Sequence, residues 1–124
     1  MISMIKHINT VSLYVNDQER ALAFYRDILG FEVRTDASMG PMGRWLEVAP
    51  AGAQTTFVLA DAAGFDKQGR VGESADITLT ADDVYALHKS LTDKGVPVTE
   101  PEKQDWGTFV RITDPDGHTF IVSS

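Results

Sequence analysis

The side chains able to do chemistry in this 124-residue chain are few and scattered. Glu47, Asp76 and Arg111 are charged residues set inside stretches of alternating apolar residues. Such stretches read as strands, so the charges belong to sheet faces rather than to loops. A carboxylate on a sheet face can act as a base or hold a cation, and a guanidinium can hold an anion. Glu47 and Arg111 would pair with each other, hold a polar ligand, or supply a base and its partner. The three histidines, His7, His88 and His118, form no pair at metal-binding spacing. His118 reads as a polar turn residue and His88 as a partly exposed helix residue. His7 lies an odd number of residues from Thr10 and so faces away from it in a regular strand. The chain has no cysteine, which excludes a thiolate nucleophile, a disulfide framework and a Cys-based zinc site. It also lacks a Gly-x-Ser-x-Gly elbow and a phosphate-binding glycine loop.

The elements that must position these groups follow from periodicity. Residues 8 to 15 alternate apolar with polar, a half-buried strand. Asn16-Asp17 caps a helix whose Ala21, Leu22, Phe24, Tyr25, Ile28 and Leu29 recur at helical spacing, and Gly30 ends it. A strand starts at Phe31. Ser38 to Gly43 is a loop, Arg44 to Val48 a strand, and Thr55 to Leu59 its return. After a linker over 61–74, residues 76–80 alternate again. Asp82 and Asp83 cap a second helix, and Asp-Asp there is a cap rather than a calcium set. Gly95 closes that helix. Val96-Pro97-Val98 reads as a short strand at an edge. Glu100 to Gly107 is a loop, and Thr108 to Ile112 is a strand. Asp114-Pro115-Asp116-Gly117 then turns the chain into the last strand.

The second half repeats the first in register. Thr10-Val11-Ser12-Leu13 falls on Asp76-Ile77-Thr78-Leu79, and Gly43-Arg44-Trp45-Leu46 on Gly107-Thr108-Phe109-Val110. Thr56 to Leu59 falls on Thr119 to Val122. Each βαβββ module must bury one sheet face against its own helix. The opposite faces, which carry Thr10, Ser12, Thr56, Val58, Asp76, Thr78, Thr119 and Ile121, then line a cavity. Trp45, Glu47, Phe109 and Arg111 reach it by the same alternation, and Met42 and Trp106 lie at matched loop positions on its rim.

These modules resemble the vicinal oxygen chelate superfamily of glyoxalases, bleomycin resistance proteins and extradiol dioxygenases. The resemblance rests on Val15-Asn16-Asp17, Ala23 to Phe31 and the Asp114 to Gly117 ending. It implies an α+β fold: tandem modules at about 5–60 and 75–123 in one domain, a curved, cup-shaped mixed sheet, and helices outside. It also implies a homodimer. The superfamily's metal enzymes place ligands at positions that fall here on Thr10, Val58, Asp76 and Ile121. One good ligand in four implies no bound metal and no cofactor.

The net charge of −7 disfavours nucleic acid and anionic membranes and suits a cationic ligand, while the aromatic side chains of the cavity suit an aromatic one. Neither a signal peptide at Met1–His7 nor a membrane span is expected, and the expected location is the cytoplasm. Two function classes follow. One is a metal-free small-molecule binding protein of the bleomycin-resistance type, with Trp45, Trp106, Phe109 and Met42 as flat apolar contacts. The other is a lyase, isomerase or dioxygenase with a divergent site, for which Glu47, Asp76 and Arg111 are the catalytic candidates.

Overall fold

The structure, a computed structural model, describes residues 3–73 and 75–124. Met1, Ile2 and Ser74, the last residue of the expected linker, lie outside them. The chain divides into two compact units, Met1–Arg70 and Val71–Ser124. Each carries a four-stranded mixed sheet, as the repeat requires.

In the first unit the sheet order is β1-β4-β3-β2, with β1 at Thr10–Val15, β2 at Glu32–Ser38, β3 at Arg44–Ala49 and β4 at Thr56–Asp61. Strands β1 and β4 run parallel, with Ser12 opposite Val58. Parallel neighbours need a crossover, and a helical segment supplies it. Helix α1 (Gln18–Leu22) starts at Asp17, whose carboxylate accepts from the Arg20 N–H at 3.1 Å. It widens at once into a π-helical turn over Ala23–Ile28. Phe24 and Tyr25, adjacent in sequence, are both buried there. Tyr25 is the hub of an aromatic core, with ring centroids 5.1 Å from Phe24, 5.8 Å from Phe31 and 6.2 Å from Phe57.

The second unit has the order β5-β8-β7-β6, with β5 at Thr78–Thr80, β6 at Glu102–Gln104, β7 at Gly107–Thr113 and β8 at Thr119–Ser123. Helix α2 (Val84–Asp93) is capped by Asp83, which accepts from Tyr85 N–H and Ala86 N–H. Gly95 (φ 75°) ends it. The Val96 N–H reaches back to the Leu91 carbonyl at 2.9 Å and the Gly95 N–H to the Thr92 carbonyl at 3.0 Å, a paired closure that satisfies the last carbonyls.

Three expectations about this unit are corrected. Residues 96–98 form no strand: Val98 makes a single bridge to Ile112, and Pro97 has no N–H for a ladder. The edge strand is instead Glu102–Gln104, inside the expected loop. All three of its side chains are exposed, so no apolar alternation marked it. It exists because a two-residue turn, Asp105-Trp106, folds it back on β7 with Gln104 opposite Gly107. Finally, β5 starts at Thr78, because Asp76 takes a positive φ of 52° and leaves the extended path. The matching expectation that the first strand begins at residue 8 also shortens, to Thr10.

One interaction in the first unit has no counterpart in the second. Strands β3 and β4 pair at Glu47–Val58 and Val48–Phe57, and the ladder opens beyond them. The Gln18 amide fills the opening. Its Nε2 donates to the carbonyls of Arg44 and Leu59, each at 2.7 Å, and its Oε1 accepts from the Arg44 N–H at 3.0 Å. In the second unit β7 and β8 stay paired from Thr113–Thr119 to Phe109–Ser123, and Val84 stands where the repeat places Gln18. Replacing Gln18 with Ala leaves three part-buried backbone groups unmatched. We expect it to lower the unfolding free energy by about 2–4 kcal/mol, read from urea titration.

Candidate functional site

Residues paired across a sheet share a face, so the strand register assembles the site without reference to any ligand. In the second unit Thr78 and Arg111 both lie opposite Ile121. Those three residues, with Asp76, Ile77 and Thr119, line a depression of about 270 Å³. Arg111 also borders a second depression of about 410 Å³, lined by Thr99, Glu100, Pro101, Glu102 and Phe109. Of the expected cavity residues, Asp76, Thr78, Arg111 and Ile121 are therefore brought together. Thr119, expected on the same face by the alternation of β8, is there too. Glu100 and Glu102 were missed because their segment looked like an irregular loop; the hairpin turn before Gly107 was the available signal.

Arg111 is held by an aromatic stack. Its guanidinium carbon lies 5.1 Å from the Phe109 ring centroid. The Trp106 indole stacks on the same Phe109, with centroids 5.5 Å apart and planes 17° apart. Phe109 is 7% exposed and serves as backing, whereas Trp106 at the turn is 65% exposed. Among the described residues, no carboxylate makes an ion pair with Arg111; its backbone N–H is the bonded group, donating to Thr99 Oγ1 at 2.8 Å.

In the first unit the equivalent surface is satisfied from within. Glu47 lies opposite Val58, as Arg111 lies opposite Ile121. Trp45 Nε1–H donates to Glu47 Oε2 at 2.9 Å, and the Thr56 hydroxyl donates to Oε1. The Thr56 hydrogen bond, then those of Trp45 and Thr35 and the charge of Arg34, hold the Glu47 carboxyl below its usual range, against burial that pushes it up. Val58 has no exposed surface, and Thr10 and Ser12 lie beside it on β1. Met42, 41% exposed, ends the turn before Gly43. A carboxylate with both oxygens engaged and its pKa depressed is a weak base.

At the four strand positions singled out from the sequence, Asp76 is the one good metal donor. Val58 and Ile121 offer hydrocarbon, and Thr10 offers a neutral hydroxyl. In the second sheet, the position next to Ile121 is a guanidinium, which opposes a divalent cation. A different cluster, Asp114, Asp116 and His118, has ligand-type atoms within 4.8 Å of one another. His118, expected as a polar turn residue, is buried, and its Nδ1 pairs with Asp114 Oδ2 at 2.8 Å. Asp114 Oδ1 accepts from the Asp116 and His118 N–H groups at 3.0 and 2.8 Å. These contacts staple the turn that starts β8. His88 is half-buried, 3.6 Å from a Glu100 oxygen, and His7 is exposed.

Comparison with known proteins agrees with this architecture. Residues 5–122 match the model of the Glyoxalase/Bleomycin resistance protein/Dioxygenase superfamily, and the chain belongs to that family. A Bacillus subtilis (strain 168) protein, YetH, is 38% identical over 120 residues, covering 96% of this chain and 98% of its own. TnmS3, an antibiotic binding protein from Streptomyces sp. CB03234, has 36% identity, a TM-score of 0.84 and 98% coverage of both chains. A superfamily member from Sphaerobacter thermophilus DSM 20745 has 35% identity, a TM-score of 0.88 and 98% coverage of both. Among the described residues, no helix is long and apolar enough to cross a membrane.

The depressed Glu47 carboxyl makes a pH prediction. A folded-state pKa below the unfolded value near 4.3 adds stability above that value and loses it as pH falls through the folded pKa. The stability gap between the native chain and Glu47→Gln should therefore be largest near neutral pH and shrink below about pH 4. Urea titrations at pH 7 and pH 3 measure it.

Proposed function

We propose that this chain binds a small organic molecule on the exposed face of its second unit, beside Arg111, without a metal. The observation that carries this reading is the contrast between matched positions. Glu47 is saturated by Trp45 and Thr56, whereas Arg111 rests on an aromatic stack with its charge unmatched by an ion pair among the described residues. An exposed guanidinium that borders two depressions and rests on Phe109, a ring that also carries an exposed indole, is a recognition surface in search of an acceptor and a flat ring. A relative of 36% identity that binds an antibiotic is in accord with this. A homodimer in the cytoplasm completes the reading. The exposed Met4, Ile5 and Ile8 are apolar side chains of the kind a second copy covers.

The test is a thermal-shift screen of aromatic natural products, run with and without EDTA. A compound at a hundredfold excess over its Kd should raise Tm by about 5–10 °C. The shift should survive EDTA and vanish in Arg111→Ala. A shift that requires added divalent metal, or chemical conversion of the compound, would replace this reading with the enzyme one. Sedimentation at micromolar concentration should give twice the 13.6 kDa chain mass.

A further inference from the structure

On the proposed reading that this face binds a small molecule, the charges of the second depression restrict which one. Strand register fixes their places. Glu102 lies opposite Phe109 in the β6–β7 ladder, and Arg111 follows Phe109 by two residues on β7, so all three share one sheet face. All three line the depression of about 410 Å³, with Pro101 and Phe109 as its apolar part. Its rim is tied to the strand. The Thr99 N–H donates to the Arg111 carbonyl at 3.0 Å, and the Thr99 hydroxyl accepts from the Arg111 N–H at 2.8 Å.

Glu102 and Arg111 stand diagonally across the ladder, an offset of about 7–8 Å between Cα atoms in a sheet. Side chains of this length can span that offset, yet among the described residues neither makes an ion pair. The guanidinium lies on the Phe109 ring instead, its carbon 5.1 Å from the centroid. Leaving two solvated charges apart costs little, because a surface pair contributes little. The other carboxylate of the rim, Glu100, has an oxygen 3.6 Å from His88 Nε2 on α2. Glu102 is therefore the carboxylate at hand for a ligand held by Arg111.

A purely anionic ligand on Arg111 meets Glu102 and a chain of net charge −7. A purely cationic ligand on Glu102 meets the guanidinium. A ligand with both charges meets an opposite charge at each end. Arg111 offers donors alone and ionised Glu102 acceptors alone, so each end has its matching hydrogen bonds as well. We infer that the depression takes a zwitterion: a carboxylate or similar anion at Arg111, a protonated amine at Glu102, and a short apolar spacer between them against Pro101 and Phe109. The cation expected from the net charge becomes one end of the ligand, and the anion that Arg111 requires becomes the other.

Four benzene derivatives that share one ring and differ in charge test this by isothermal titration calorimetry at pH 7 and low ionic strength. They are 4-(aminomethyl)benzoate, 4-methylbenzoate, 4-methylbenzylammonium and 4-methylbenzamide. The zwitterion should bind about fivefold more tightly than each of the others. In Arg111→Met it should bind no more tightly than the ammonium compound, and in Glu102→Gln no more tightly than the benzoate. Each variant thus cancels one preference and keeps the other, which a general loss of fold would not do. Glu32→Gln, a carboxylate of the first unit, removes the same charge and should keep both preferences. The inference is overturned by a singly charged or neutral compound that binds as tightly as the zwitterion, by a Glu32→Gln chain that behaves like Glu102→Gln, or by a native chain that binds none of the four. If Arg111-dependent hits persist in the thermal-shift screen in any of those cases, the inference falls and the binding reading stands. If those hits are absent too, both fall.

Discussion

Each unit depends on the parallel pairing of its first and last strands. With Ser12 fixed opposite Val58 and Thr78 opposite Ile121, a one-residue slip would turn every side chain of the strand to the other face. Burial forbids it. Leu13, Phe57 and Leu59 in one unit, and Phe120 and Val122 in the other, are buried, and Phe57 packs edge-on against Tyr25. The same register fixes the opposite face, where Glu47 and Arg111 stand at equivalent places. Core packing thus sets the address of the polar residues without touching them.

That shared address holds different chemistry in the two units. Glu47 is an acceptor surrounded by donors of its own sheet, and its charge is spent on Thr56 and Trp45. Arg111 is a donor whose neighbours in the stack are rings, and rings leave its N–H edge available. An internally satisfied carboxylate stiffens a sheet, while a guanidinium lying on an aromatic platform is preorganised for an outside acceptor. The duplicated fold has separated these roles between its halves. The Gln18 bridge belongs to the same asymmetry: it closes an opening between β3 and β4 that the fully paired β7 and β8 do not have.

Much of this was legible in the residues. Asp17 and Asp83 as caps, Gly30 and Gly95 as helix ends, and the alternation of β8 each follow from local chemistry, and the structure keeps them, whereas β4 is buried from Thr56 to Ala60 without alternation. The register between halves was legible because apolar spacing repeats in order. What was hidden depended on distant partners. Glu102–Gln104 is a strand because β7 lies beside it, not because of its own side chains. Gln18 looks like any polar residue at a helix start until the Arg44 and Leu59 carbonyls come within its reach. His118 lies in a polar turn, and its burial follows from a carboxylate four residues back. Asp76 at the strand entrance has a positive φ that no alternation reveals.

Trp106 occupies the tip of a two-residue turn, and Gly107 behind it takes a φ of 147°. Backbone geometry at the glycine, rather than the indole, makes that turn. The ring rests on Phe109 from outside, so exchanging it removes one stacked neighbour and opens no cavity in the core. A residue of this kind can vary at little cost in folding while changing what the neighbouring surface recognises. The turn is accordingly where a lineage could retune its ligand by single substitutions, with the sheet beneath left as it is.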